Sequence, residues 1–202
     1  VAQPMNWRLS ASELVKIIEN GNPSVVIVDG DLSGLGKQVQ AETDLVQQWL
    51  EYGEAGDQSF ESLVQAQPPI EPSLTSNCRA EDPFFILYTG GTTGESKGAL
   101  HSHESVWYGM QNQTVAERIV PSDVYMLTGQ MFHIPIVLAM NYHAHGCPLV
   151  LMNFDAELAL NLIQEEKVSA FLGVTTMLNW MMAVPNFKSF NLDSLRNIQY
   201  GG

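Results

Sequence analysis

The stretch Tyr88–Gly98, YTGGTTGESKG, constrains this chain more than any other. It places four glycines, three threonines and one lysine directly behind the apolar run FFILY, Phe84–Tyr88. An unbroken apolar run, as opposed to an alternating one, predicts a strand buried on both faces of a parallel sheet. The loop then leaves that strand's carboxyl end, where open α/β sheets bind ligands. Gly90, Gly91, Gly94 and Gly98 lack Cβ atoms, which lets the backbone take positive φ and bring its N–H groups close to a polyphosphate. Thr89, Thr92 and Thr93 add hydroxyls, and Lys97 adds a positive charge. The string reads as a phosphate cradle. It is not a Walker A loop, which needs Gly-x-x-x-x-Gly-Lys followed by Ser or Thr.

Charge narrows the classes further. A formal charge of -13 over 202 residues argues against nucleic acid or an anionic membrane as the main partner. It also means that a polyphosphate needs a local positive spot, for which Lys97, His101 and His103 are the candidates, and a divalent cation. Cys78 and Cys147 are too few for a disulfide framework, so a reducing cytoplasm is the expected compartment. The longest apolar run, MFHIPIVLAM, is too short to cross a bilayer and carries His133 and Pro135, so no stable membrane insertion is expected. No charged-then-apolar leader opens the chain, and its start at Val1 and stop at Gly202 read as mid-fold, which makes a fragment the expectation.

Along the chain, Ser10 and Glu13 have capping-box spacing ahead of Leu14, Ile17 and Ile18, and Val25–Val28 reads as a buried strand. DGDLSGLGKQVQ, Asp29–Gln40, mimics a nucleotide loop, but Asp31 and Gln38 stand where a Walker A needs Gly and Ser or Thr, so a surface turn is expected. Residues 39–52 read as helical, 53–83 as a surface excursion with a short helix at Ser59–Gln65, and 101–119 as a helix whose N-terminus points back at the phosphates. Strands are expected at Asp123–Leu127, Cys147–Met152 and Val168–Val174, with an apolar helix after the MFH stretch. Asp155 caps a further helix, Thr175 or Thr176 opens another, and Ile198–Tyr200 leads to the terminal glycines. This alternation predicts parallel sheets covered by helices, with no solenoid repeat. His143, His145 and Cys147 have an H-x-H-x-C spacing, but their context reads as a helix end entering a strand and not as a zinc site.

The phosphate-loop string resembles the motif of the adenylate-forming family, which includes acyl-CoA synthetases, luciferases and the adenylation domains of peptide synthetases. Against that family's usual YTSGTTGxPKG, nine of eleven positions match: Gly90 replaces Ser, removing a hydroxyl, and Ser96 replaces Pro, removing a rigid φ before Lys97. Asn6, Trp7, Arg8 and Leu9, with Asp29 further on, are similar to the family's stretch ahead of the loop. The resemblance implies an α/β fold with parallel sheets flanked by helices. It covers parts of two similar α/β subdomains of an acyl-CoA synthetase-like N-terminal domain, residues 1–120 and 121–202, which change over near Val120-Pro121.

It also implies a function, an ATP-dependent carboxylate-CoA ligase using ATP, Mg2+ and CoA on a carboxylic acid. Thr89, Gly90, Gly91, Thr92, Thr93, Gly94, Glu95, Ser96, Lys97 and Gly98 would hold the phosphates, with Thr92 and Lys97 catalytic. MFH, Met131–His133, resembles the family's second motif: Phe132 walls the acyl tunnel and His133, also catalytic, faces the carboxylate or α-phosphate. On its residues alone, His133 reads equally as a half-buried histidine with a backbone partner. GVTTM resembles the family's GVPTM and places Gly173 and Thr175 at the acyl pocket, Thr175 standing where Pro is usual. Met177, Trp180, Met181 and Met182 read as core. Gly201 and Gly202 resemble the glycine pair bordering the acyl and adenine sites, and no protein metal ligand is expected.

The family's later motifs, among them the ribose-binding Asp and the catalytic Lys of the small C-terminal domain, are not in this sequence. The resemblance therefore implies an inactive internal piece whose partner is the missing C-terminal domain of the same chain. Two alternatives remain open at this point: an adenylation domain loading a carrier protein, and a nucleotide-binding module without chemistry.

Overall fold

The computed structural model describes residues 1–53, 59–70, 78–89 and 96–200, and the chain forms two compact units, Val1–His103 and Glu104–Gly202. The sequence-based division near Val120-Pro121 groups the helix at 103–117 with the first unit, whereas compactness groups it with the second.

In the first unit, helix α1 (Ala11–Gly21) starts at Ser10, whose hydroxyl accepts from the Glu13 N–H while the Glu13 carboxylate accepts from the Ser10 N–H. These reciprocal bonds satisfy amides that a helix start leaves without acceptors. Asn22, in the left-handed region at φ 46, closes the helix, as short polar residues can. Strand β1 (Val25–Asp29) follows, and β2 (Gln48–Tyr52) lies parallel to it with Val26 opposite Trp49. Between them, Asp29 accepts from the Asp31 N–H and leads into α2 (Ser33–Glu42). Leu14, Val15, Ile18, Val26, Val39 and Val46 form this unit's core.

Two expectations are corrected here. Asp29–Gln40 is not a surface turn but the lead into a helix that packs on β1: a Cβ on Gly36 would sit 3.0 Å from Val28 Cγ1, so that glycine serves packing. Residues 39–52 are not one helix, because α2 stops at Glu42 and pairing with β1 turns Gln48–Tyr52 into a strand. Helix α3 (Phe60–Gln65) appears where expected, capped by Ser59.

Strand β3 (Pro83–Tyr88) also departs from expectation. It pairs antiparallel with β4 (Gly98–Ser102), and its Phe85 and Leu87 are buried while Phe84, Ile86 and Tyr88 are half-buried. The register shifts between Pro83 and Phe85.

In the second unit, α4 (His103–Glu117) precedes a four-stranded parallel sheet of β5 (Tyr125–Leu127), β6 (Leu149–Leu151), β7 (Ala170–Leu172) and β8 (Asn197–Gln199), in the order β6-β5-β7-β8. Helices α5 (Ile134–Ala144), α6 (Ala156–Glu166) and α7 (Thr175–Met182) make the crossovers. Neighbouring side chains on a strand point to opposite faces. Accordingly Tyr125 and Leu127 pack with Ala139 and Tyr142 of α5, while Met126 packs with Leu160 and Ile163 of α6 and Met181 of α7. A side chain as large as Phe171, 1% exposed, contributes about 1.5–3 kcal/mol on burial. Trp180 and Met182, expected in the core, are both 58% exposed. Among the described residues no helix is long and apolar enough to cross a membrane.

Candidate functional site

The ends of the phosphate-loop string close on each other in the first unit. Thr89 N–H donates to the Lys97 carbonyl at 3.0 Å, and the Ser96 hydroxyl donates to the Thr89 carbonyl at 2.6 Å. Ser96 thus supplies a bond that a proline there has no donor to make. Gly98 has no positive φ. Its missing side chain makes room within the hairpin, since a Cβ would lie 2.8 Å from Ile86 Cγ2 and 3.0 Å from Tyr88 Cζ. Tyr88 in turn donates to Asn20 Oδ1 at 2.7 Å, tying the strand end to α1. Gly90, Gly91, Thr92, Thr93, Gly94 and Glu95 lie outside the described residues, as do Gly201 and Gly202.

The expected support from a helix N-terminus is not there. β4 carries the chain away from the loop for four ladder steps, roughly 14 Å, before α4 starts at His103. A helix dipole acts within its first turn, so it does not supplement Lys97. His101 and His103 leave the positive spot with it: His101 packs on the Phe85 ring at 5.0 Å, and His103 sits on Phe84 at 4.8 Å with Nε2 3.2 Å from Cys78 Sγ.

In the second unit, the crossover after β5 runs over one face of the sheet and that after β7 over the other, although the two strands are neighbours. Such a switch point opens a crevice at the carboxyl ends, the usual ligand position in an open α/β sheet. The segment 128–133 leaves β5 there and Gly173–Thr175 leaves β7. His133, exposed, is the N-cap of α5 without a side-chain cap bond, and Phe132 before it is half-buried. Buried Thr128 donates its hydroxyl to the Leu172 carbonyl, joining the two loops. A Cβ on Gly129 would lie 2.4 Å from Pro135 Cγ, so only glycine lets the loop fold against the start of α5. Thr128 and Gly129 were not singled out in the sequence, though a glycine two residues past an apolar strand end, as Gly90 is past Tyr88, also marked the first loop.

The end of β8 is fixed from the α5 face. Tyr125 OH donates to Gln199 Oε1 at 2.8 Å, and Gln199 Nε2 donates to Glu117 Oε2 at 2.6 Å, an oxygen that also accepts from Tyr142 OH at 2.8 Å. Burial pushes both phenols well above their usual range, helped at Tyr125 by its neighbours Tyr142 and Glu117 and at Tyr142 by the hydrogen bond to Glu117 and that residue's charge. At the opposite end of the sheet, Arg196 Nε donates to Asp123 Oδ1 at 2.7 Å, with a second bond from Nη2 to Oδ2. Burial pushes the Asp123 carboxyl up, but Arg196, the Val120 N–H and the Ser169 hydroxyl outweigh it and hold it below the usual range. The H-x-H-x-C residues separate: His143 is exposed, His145 Nδ1 lies 2.9 Å from the Asn141 carbonyl, and buried Cys147 donates to the Val120 carbonyl. Among the described residues no three of His, Cys, Asp and Glu gather to hold a metal ion.

All 202 residues match the family described as AMP-binding enzyme. The chain belongs to the AMP-binding enzyme family. Relatives of this AMP-binding chain include a long-chain-fatty-acid–CoA ligase, FadD13, of Mycobacterium tuberculosis, 31% identical over 207 residues and covering 100% of this chain and 40% of the relative. An indoleacetate–CoA ligase of Aromatoleum aromaticum is 28% identical, over 98% of this chain and 39% of the relative. Among solved structures, a fatty acyl CoA synthetase of Mycobacterium tuberculosis superposes with a TM-score of 0.87 at 30% identity, covering 100% of this chain and 39% of that one. The inhibitor-bound N-terminal domain of FACL13 from the same organism gives 0.86 at 31%, covering 100% and 50%. These neighbours confirm the α/β architecture of an acyl-CoA synthetase N-terminal domain. The AMP-binding chain spans about 40% of the length of these curated relatives.

Proposed function

We propose that the protein containing this chain is a cytoplasmic, ATP-dependent carboxylate-CoA ligase, with residues 1–120 and 121–202 as parts of two α/β subdomains. The observation that carries this reading is the match of the whole chain to the AMP-binding enzymes, joined to relatives named as CoA ligases. In the first step a carboxylate oxygen attacks the α-phosphorus of ATP, and the bond to pyrophosphate breaks. In the second, the CoA thiol gives up its proton, its sulfur attacks the acyl carbon, and AMP leaves.

The residues act by position and charge. Thr89 to Gly98 hold the phosphates, with Thr92 donating to them and Lys97 offsetting the charge that grows on pyrophosphate. His133 orients the carboxylate, Phe132, Gly173 and Thr175 border the acyl group, and Gly201 and Gly202 lie against the adenylate. Mg2+ supplies neutralisation of phosphate charge when bound. The remainder of the reading frame contributes the C-terminal domain.

The test is carboxylate-dependent pyrophosphate release by the protein expressed in its full reading frame, with short, long and aromatic acids, with and without CoA. A CoA-stimulated signal with one acid class is expected. ATP binding without release for any acid overturns the reading. A second reading, in which a carrier protein is the thiol acceptor, has support from a fatty acid–[acyl-carrier-protein] ligase of Streptomyces coeruleorubidus, 23% identical over 100% of this chain. Stimulation by a carrier protein and not by CoA would select it.

A further inference from the structure

Thr175 and Tyr200 meet across the carboxyl edge of the second unit's sheet, their hydroxyl oxygens 3.0 Å apart. The backbone builds this contact. β7 and β8 pair in parallel from Ala170↔Asn197 to Leu172↔Gln199, and the Gly173 N–H donates to the Gln199 carbonyl at 2.9 Å, carrying the ladder one step past β7. Gly173 keeps the turn into α7 tight, because a Cβ there would lie 2.7 Å from Leu178 Cδ2. Gln199, held by Tyr125 and Glu117, anchors the strand end from which Tyr200 projects.

Thr175 is the first residue of α7. Proline suits that position, because its fixed φ is already helical and its missing N–H would have no helical acceptor. Threonine gives up that advantage and supplies a hydroxyl, which is the atom that reaches Tyr200. In a pair of hydroxyls one O–H is spent on the other oxygen and one remains to donate. Both side chains stand at the carboxyl edge of the sheet, the end at which an open α/β sheet binds its ligand.

We propose that the Thr175–Tyr200 pair is a specificity element of the acid site. It presents one hydroxyl donor to an oxygen acceptor on the organic part of the acid, so an acid carrying such an oxygen is preferred over the plain hydrocarbon acid of the same skeleton. The proposal rests on the ligase reading above. A site arranged to hydrogen-bond a substrate group discriminates against the analogue lacking it.

The experiment measures kcat/KM for pyrophosphate release by the full-reading-frame enzyme on two matched pairs, phenylacetate with 4-hydroxyphenylacetate and octanoate with 8-hydroxyoctanoate. Wild type is compared with Thr175→Pro, which suits the helix start, with Tyr200→Phe, which keeps the ring, and with the double variant. Wild type is expected to favour the hydroxylated member of at least one pair about tenfold, the range of a single hydrogen bond. The double variant, which keeps neither hydroxyl, should erase that preference by losing rate on the hydroxylated acid, with the KM for ATP unmoved. Each single variant leaves one hydroxyl without the partner that aims it and should lose part of the preference, and the two losses should not simply add, because the residues are in contact. Pyrophosphate release without a hydroxyl preference, or a preference surviving in the double variant, overturns this proposal alone. No release with any acid overturns the ligase reading and this proposal with it.

Discussion

In the first unit the two ends of the phosphate-loop string hold each other, Thr89 to Lys97 and Ser96 to Thr89, across seven or eight residues of chain. In the second unit the candidate residues stand on three different strand ends, joined by bonds such as Thr128 to Leu172, 44 residues apart, and Gln199 to Glu117, 82 apart. The first arrangement needs only its own hairpin. The second exists only while the sheet and its helices are packed, so anything that loosens the core of 104–202 disperses it.

The strongest break of this contrast is Asp123→Ala. It leaves Arg196 without its carboxylate and removes the acceptor for the Val120 N–H and the Ser169 hydroxyl. A loss of about 3–5 kcal/mol is expected in the second unit. Hydrogen exchange should then rise across β5, β7 and β8 while the Thr89 N–H keeps its protection. Equal loss in both units would show that the hairpin depends on the sheet after all.

Gly129→Ala comes next, at about 1–3 kcal/mol, because the rigid Pro135 ring has to move. Urea unfolding followed by Trp180 fluorescence reads it. The Asp123 pair also sets a pH dependence. Its folded carboxyl titrates below the ordinary value of about 3.9, so its stabilisation is present above that pH and is lost as the pH falls through the lower folded value. Thermal unfolding between about pH 6 and pH 2.5 should show this loss in wild type and little of it in Asp123→Asn. The smallest effect belongs to Ser96→Ala, about 1 kcal/mol or less, confined to exchange at the ends of the loop string. Faster exchange in the second unit's sheet would contradict the local character assigned to this hairpin.

What could be read in the sequence follows the same line. The helix caps at Ser10 and Asp155 were legible because a cap is a contact between residues three apart. Strands β5, β6 and β7 were legible because their residues are apolar, although each is a residue or more shorter than its apolar run. Gln48–Tyr52 and Gly98–Ser102 were not, since neither carries a strand period and each is a strand only by pairing with a partner strand. The loop string was legible in one stretch of eleven letters. His133 and Gly173 were singled out through resemblance and Thr128, Gly129 and Tyr200 were not singled out, because nothing local in the sequence says which strand ends will be neighbours.

The register of the hairpin has a geometrical consequence. Each two-residue slide of β3 along β4 would change by two residues the length of chain spanning the turn. The irregularity between Pro83 and Phe85 and the fit of the Tyr88 ring over Gly98 oppose such sliding from both ends of the ladder. The length of chain held between Thr89 and Ser96 is therefore gauged partly at the base of the hairpin, where Pro83 stands opposite Ser102.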